Sequence, residues 1–286
     1  MAVDLHTHTR HSDGTTSPSE NVALAAAAGL DGIALTDHDT TAGWVEAEAA
    51  CARHGLRFVP GVELSTERAG ASVHLLGYWV DADHPQFAAE CARLRTERSR
   101  RADEVVAKLA ALGAPVRRER VDELAGSAPI GRPHIAAALV EAGHVADSAA
   151  AFDVFLHDGG PAYVAKRAID PVAGVRLIRD AGGVAVLAHP AMSGGGDLRP
   201  LAVELAVAGL AGIEADHPGH DEEQRHTWRE VAAALMLEVT GSSDFHGERT
   251  DLRIGQHTTP ARALEALAER RPSVTAATTN REGTTW

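Results

Sequence analysis

Short apolar segments alternate with longer amphipathic segments along most of the chain. The apolar segments have the length and side-chain content of strands, and they are AVDLHTH, GIALTDHD, RFVPGVELS, SVHLLGYWV, GVAVLAHP, GIEAD and LEVTGSSDFHG. The first amphipathic segment, SPSENVALAAAAGL, has a serine cap and an early proline and closes at Gly29, as a helix does. Strands that alternate with helices predict an α/β fold with a largely parallel sheet.

Polar side chains lie at the carboxyl ends of these strands. They are His6 and His8, Asp37 and His38, Glu63, His189, Glu214, and Asp244 and His246. His74 lies inside its strand pattern and must point inward to join them. Because strands arranged in a ring can bring their ends to one point, a barrel is favoured over an open sheet.

The middle of the chain, residues 85–180, breaks this alternation. It contains three helical patterns, PQFAAECARLRTERSRRADEVVAKLAALG, GRPHIAAALVEAG and DSAAAFDVFLHDG. Loops at the catalytic face of a barrel accept insertions, so we expect a mostly helical, substrate-binding lid here. Residues 1–84 and 181–286 are then one discontinuous barrel, whose polar tail TAATTNREGTTW is expected to be poorly ordered.

Composition and charge narrow the range of functions. Sixteen histidines outnumber the Phe, Tyr and Trp residues together, which indicates metal binding. The net charge of −13 argues against a groove for long duplex nucleic acid and leaves room for a small anionic substrate.

Cys51 and Cys91 lie in helical patterns and are expected to be reduced core residues. With no leader and no membrane span in the sequence, we expect a soluble cytoplasmic protein without a membrane partner. Its oligomeric state is left open.

The segment VDLHTHTRHSDG carries the first sign of chemistry. Residues two apart in a strand face the same way, so His6 and His8 can present both rings to one ion. This spacing also occurs on ordinary solvated strands, and by itself it is weak evidence. The repeat of the pattern at Asp244 and His246, and the other strand-end groups, favour shared metals, because isolated buried polar groups are costly.

Six segments in this order resemble the motifs of the polymerase and histidinol phosphatase (PHP) family. They are DLHTHTRHSDG, ALTDHD, PGVELS, VHLLGY, LAHP and SSDFHG. GRPHIAAALVEAG and PAYVAK further resemble the inserted region of stand-alone members that act on AMP-like substrates, 3',5'-bisphosphonucleosides or short RNA. The resemblance implies a distorted barrel of seven β/α units with up to three metals.

The resemblance also implies a set of metal ligands. The first metal takes His6, His8, Glu63 and Asp244, the second shares Glu63 and adds His74 and His189, and the third takes Asp13, His38 and His246. Mixed nitrogen and oxygen ligands favour Mn, Fe or Zn over Mg or Ca. Asp13, Glu63 and His189 are predicted to be catalytic.

A metal cluster would neutralise a phosphate ester and supply a bridging hydroxide for in-line attack on phosphorus. Asp37 and Asp39 are expected to orient imidazole ligands. The side chains predicted to contact the substrate are Arg132, His134, Lys166 and His217. Arg132 could instead serve only as the start of a helix, Lys166 as an exposed loop residue, and His220 is expected at the surface.

Two other functions are compatible with the same motifs. A histidinol-phosphate phosphatase would use the same metals on another monoester, although the GRPH insertion speaks against it. A non-catalytic regulatory PHP module would be expected to show gaps in the ligand set, and the sequence shows none.

Overall fold

Eight strands form one sheet in the order β7-β6-β5-β4-β3-β2-β1-β8. This computed structural model describes residues 2–126, 128, 130–157, 159–165, 167–193, 196–249 and 251–272. The strands are β1 (Ala2–Asp4), β2 (Gly32–Leu35), β3 (Arg57–Arg68), β4 (Ala71–Tyr78), β5 (Val184–Leu187), β6 (Gly212–Asp216), β7 (Glu238–Gly241) and β8 (Thr259–Pro260). The Thr259 hydroxyl donates to the Gly241 carbonyl over 2.8 Å, so β8 lies beside β7 and the sheet is a nearly closed barrel.

The strand directions explain why the barrel is distorted. Pairing is parallel from β1 to β3 and from β5 to β7, as the strand and helix pattern predicts. β4 is antiparallel to both of its neighbours, because a tight turn at Ala69 and Gly70, both with positive φ, joins it to β3 without a helix. In this hairpin His74 pairs with Ser65, which puts it on the same face as Glu63.

In the part of the chain that the structure describes, ten α-helices surround the strands or form the insertion. They are α1 (Pro18–Ala27), α2 (Trp44–His54), α3 (Pro85–Ala111), α4 (Arg118–Ala125), α5 (Arg132–Glu141), α6 (Ser148–Ala151), α7 (Pro171–Asp180), α8 (Arg199–Ala208), α9 (Glu222–Ala234) and α10 (Ala261–Glu269). A π-helical turn, Phe152–Leu156, continues α6. The predicted start of α1 is confirmed, since Ser17 and Glu20 form a reciprocal capping box ahead of Pro18.

The insertion has its own hydrophobic core. That core includes Val105 and Leu109 of α3, Val121 of α4 and Leu139 of α5. The first half of α3 packs instead on the barrel core through Phe87, Cys91 and Leu94, and α7 does so through Val175 and Ile178. One helix therefore connects both cores, and the ends of the segment 85–180 pack with the barrel.

Both cysteines are buried and unpaired, as predicted. None of the described helices combines the length and apolar character that a membrane crossing needs. The C-terminal segment TAATTNREGTTW lies outside the described residues.

Candidate metal centre

The nine predicted ligands converge at one end of the barrel. They form four overlapping groups, and within each group the possible ligand atoms lie within 4.8 Å of one another. These groups are His6, His8 and Asp244; His6, Glu63 and His189; His38, Glu63 and His74; and His8, Asp13, His38 and His246. Six different strands, or the loops that follow them, thus supply one cluster, as strands arranged in a ring can do.

The tautomers of His6 and His8 follow from their partners. Nδ1 of His6 lies 3.0 Å from Oε1 of Glu214, an oxygen that can only accept, so this nitrogen carries the proton. Nδ1 of His8 faces Ser12, whose hydroxyl already donates to Asp37 over 2.6 Å. Both Nε2 atoms therefore carry lone pairs, and they lie 3.0 Å apart.

Carboxylate oxygens surround this pair of lone pairs. Oε2 of Glu63 lies 3.4 Å from Nε2 of His6 and 3.2 Å from Nε2 of His8. Oδ1 of Asp244 lies 3.3 and 3.2 Å from the same two nitrogens. When both imidazoles are neutral, these four atoms are all acceptors and repel one another, and a bound cation would coordinate them.

Glu63 lies between two of these groups. Its Oε2 faces His6 and His8 and lies 2.9 Å from Nδ1 of His38. Its other oxygen, Oε1, lies 2.6 Å from Nδ1 of His74 and 2.9 Å from Nε2 of His189. One carboxylate thus reaches both the predicted first and the predicted second ligand sets.

Asp13 brings a third set together from the loop after β1. Its Oδ1 lies 3.3 Å from Nε2 of His246, and its Oδ2 lies 3.7 Å from Nε2 of His38. Nδ1 of His246 donates to the Asp244 carbonyl over 2.8 Å, so the nitrogen that faces Asp13 again carries a lone pair. His8 also belongs to this group, which the sequence did not indicate.

The buried polar atoms without hydrogen-bond partners show that these residues fit a metal. They include Oδ1 of Asp13, Oδ1 of Asp244, Nδ1 of His38 and Nδ1 of His189. The two carboxylate oxygens are the atoms that face the lone pairs of His246 and of the His6 and His8 pair. Buried acceptors left in this state are costly, and divalent cations satisfy them together.

Two further carboxylates, those of Glu214 and Asp37, position the ligand residues through hydrogen bonds. Glu214 accepts from Nδ1 of His6 through Oε1 and from the backbone N–H of His189 through Oε2, over 3.0 and 2.8 Å. Asp37 accepts from Ser12 and from the backbone and hydroxyl of Thr9. It therefore acts on His8 through Ser12, as expected of a group that orients a ligand.

Asp39 differs from its predicted role. It contacts no imidazole through a hydrogen bond; its oxygens accept from the backbone and hydroxyl of Ser65 and from Nε of Arg98. Arg95 also donates to the Asp39 carbonyl over 2.7 Å. Asp39 thus joins the loop that carries His38 to helix α3 of the insertion.

Three of the six described non-glycine residues with positive φ lie at this end of the barrel. His189, Asp244 and Asp39 have φ values of 23°, 51° and 55°, a region that side chains with a Cβ rarely adopt. Such conformations persist where the surrounding structure fixes them, and they cluster at functional sites. Two of the three residues are predicted ligands.

Burial and neighbouring charge act in opposite directions on the pKa of these carboxyl groups. Burial favours the neutral acid, but the imidazoles of His38, His74 and His6 hold the pKa of Glu63 well below its usual range. The pKa of Asp244 is lowered in the same way against burial. Ionised carboxylates at these positions are the form in which a metal binds.

His217 and His134, predicted to contact the substrate, make contacts with protein atoms. His217 is 3% exposed, accepts from the Gly219 N–H at Nδ1 and lies 3.3 Å from Oδ2 of Asp244 through Nε2. Nδ1 of His134 accepts from the Gly131 N–H over 3.0 Å. His217 thus positions the carboxylate of Asp244, and its contact with substrate stays a prediction.

Arg132 starts α5 beside the third ligand set. A Cβ on the preceding Gly131 would lie 3.6 Å from Oδ2 of Asp13. The Arg132 guanidinium donates to the Leu156 carbonyl over 2.9 Å and lies 5.7 Å from the ring centroid of Phe152. Lys166, the fourth predicted substrate contact, lies outside the described residues.

His220 corrects the expectation of a surface location. It is 2% exposed, its Nδ1 donates to the Ala215 carbonyl over 2.9 Å, and its Nε2 accepts from the Ala191 N–H. It therefore fastens the loop that follows His189 to the end of β6. The only sequence signal was its position three residues after His217.

Comparisons with known proteins agree with this geometry. The model of the PHP domain family matches residues 4–113. A 5'-3' exoribonuclease of Haemophilus influenzae is 36% identical over 85% of this chain and 89% of its own length. A 3',5'-nucleoside bisphosphate phosphatase of Chromobacterium violaceum is 36% identical over 85% of this chain and 87% of its own. The crystal structure of a candidate metal-dependent phosphoesterase from Bifidobacterium adolescentis superposes with a TM-score of 0.86 and 32% identity, covering 95% of this chain and 97% of that one.

Proposed function

This chain belongs to the PHP domain family of phosphoesterases, and we propose that it hydrolyses phosphate esters of nucleotides with two or three divalent metal ions. The observation that carries the proposal is the set of lone pairs on His6, His8 and His246 that face unpartnered oxygens of Asp244 and Asp13. In the neutral tautomers these nitrogens and oxygens have no donor between them, and bound cations would coordinate them together.

The nine converging side chains would hold the metals in the sets that the resemblance implies. The first set is His6, His8, Glu63 and Asp244, the second is Glu63, His74 and His189, and the third is Asp13, His38 and His246. When bound, Mn, Fe or Zn would neutralise the phosphate and lower the pKa of a bound water to about 7. The protein's own part is to fix the ligand tautomers through Glu214 and Ser12 and to hold the carboxylates ionised.

The substrate class rests on the relatives and on the start of α5. The two relatives named above are an exoribonuclease and a nucleoside bisphosphate phosphatase. The positive end of α5, which begins at Arg132, lies beside Asp13, where a second phosphate of the same substrate would be stabilised. We therefore infer a nucleoside 3',5'-bisphosphate or the 5' end of a short RNA, with its 5'-phosphate near Arg132, His134 and Lys166.

Neither alternative function is favoured. Histidinol-phosphate phosphatase is not among the activities of the relatives named above. The regulatory module predicts gaps in the ligand set, and all nine side chains converge within the described residues.

Kinetics on a panel of substrates tests the proposal. We expect the Mn-loaded protein to hydrolyse adenosine 3',5'-bisphosphate in preference to 3'-AMP, 5'-AMP and histidinol phosphate, and the chelator-treated protein to hydrolyse none. The second phosphate should improve kcat/KM by about 10-fold or more, because one charged hydrogen bond is worth about 1.5–3 kcal/mol. Preference for histidinol phosphate, or indifference to the 5'-phosphate, would contradict the substrate assignment.

A further inference from the structure

A cavity of about 500 Å³ opens directly beside the candidate metal centre. Asp244 and His246 belong to both, so a molecule in the cavity reaches the ligand groups without crossing another part of the protein. This volume lies within the range of pockets that bind small molecules. The cavity and the metal centre are therefore adjoining parts of one binding region.

The rest of the cavity is lined largely by apolar side chains from two sources. Pro133 and Phe152 come from the insertion, while Met192, Pro218 and Leu252 come from the loops after β5, β6 and β7. Met192 is 56% exposed, so its side chain is open to a ligand in the cavity. The lining suits a ligand with a flat apolar part and an anionic group at the metal end.

Phe152 is fixed in place by its neighbours. It begins the π-helical turn, packs against the core of the insertion and has the Arg132 guanidinium over its ring. Irregular turns of this kind are frequent at functional sites. An aromatic ring held in this way can stack on a planar group without a further loss of side-chain freedom.

We propose that this cavity binds the nucleobase of the substrate, with Phe152 and Met192 as the residues that recognise it. The inference rests on the proposed function, since it places the base of the same nucleotide whose phosphate lies at the metal centre. Aromatic and thioether groups bind any base through its planar face, so the cavity selects nucleotides over other phosphate esters without reading one base. A short RNA and a mononucleotide would use it alike.

The test compares a nucleotide with its abasic counterpart. The substrates are adenosine 3',5'-bisphosphate and the same bisphosphate on a sugar without a base, assayed with the Mn-loaded protein. Their equilibrium affinities are also measured on chelator-treated protein, which cannot turn them over. We expect the base to improve both kcat/KM and affinity by roughly 5- to 150-fold.

Variants test whether the gain in kcat/KM and affinity from the base arises in the cavity. Met192→Ala should remove most of the advantage of the base while leaving kcat/KM for the abasic substrate within about 2-fold of the wild type. Phe152→Ala should also remove that advantage, but it is expected to lower kcat/KM for the abasic substrate as well, because the ring contacts Arg132. Met192 is the cleaner site, because Phe152 also packs in the insertion core. Val154→Ala is the matched control, since Val154 lies in the same turn, is 50% exposed and does not line the cavity.

Each result separates the two proposals. Equal affinity and equal kcat/KM for both ligands would overturn nucleobase binding and leave phosphoester hydrolysis intact. A base-dependent affinity that Met192→Ala abolishes, without hydrolysis of either ligand, would support the cavity and overturn the proposed function. Equal losses on both substrates in Met192→Ala would show a general role and contradict base recognition.

Discussion

Glu214 is the residue whose substitution tests the tautomer argument most simply. Both of its oxygens accept, one from Nδ1 of His6 and the other from the N–H of His189. In Glu214→Gln one of these donors must face an amide NH₂, which disturbs a ligand. We expect metal affinity, measured by competition with a chelator, to fall about 10- to 100-fold.

The control for this variant is Glu230→Gln. Glu230 is 70% exposed on α9 and pairs with the exposed His226, so the affinity for metal should not change. If Glu214→Gln retained wild-type affinity with the fold intact, the assignment of protons in the His6 and His8 pair would be wrong.

For single residues, the sequence predicted which side chains converge better than it predicted which of them contact one another. Strand-end positions and the family resemblance singled out the nine side chains. They could not indicate that Glu214 would meet His6, 208 residues away, because that contact depends on how the barrel closes. The burial of His220 was missed for the same reason, since one of its partners lies after β5 and the other lies in β6.

Helix α3 connects the insertion to the metal centre. At 27 residues it is about 40 Å long, enough to pack on the barrel core at one end and the insertion core at the other. Midway, Arg98 donates to Asp39 over 2.8 Å and to Ser65 over 2.8 Å. Asp39 is fully buried, and the guanidinium holds its pKa below the usual range against the effect of burial.

Removing Arg98 should therefore be costly. Arg98→Met keeps much of the side-chain volume and leaves the carboxylate of Asp39 buried without its partner. We expect the free energy of unfolding, measured by denaturant titration, to fall by about 3–5 kcal/mol. Arg100→Met, which removes partly exposed pairs with Glu97 and Glu104 on the same helix, should cost about 1 kcal/mol or less. Equal losses in the two variants would contradict this role for Arg98.

Elements with clear local signals were predicted, and those without were not. The cap of α1 was visible in SPSE because its partners are local. Helix α4 was not predicted, since only Val121 and Ala125 of its polar sequence RERVDELA are buried. The antiparallel direction of β4 had a signal in the short link to β3, but strand alternation alone favoured a parallel sheet.

At the scale of the whole molecule, the negative charge of the protein bears on the size of the nucleic acid that it can bind. The net charge of −13 disfavours long nucleic acid, whereas a short nucleotide needs only local cations. The barrel itself was predictable from polar strand ends. The cavity was not, because its lining depends on how the insertion sits against the loops after β5, β6 and β7.

The metal content of the purified protein tests the central claim most directly. Elemental analysis of protein prepared without chelators, and again after incubation with Mn²⁺, should find two to three divalent ions per chain. Glu63→Gln should reduce that number, because Glu63 reaches two ligand sets through different oxygens. Protein that binds no divalent metal under either condition would contradict the account.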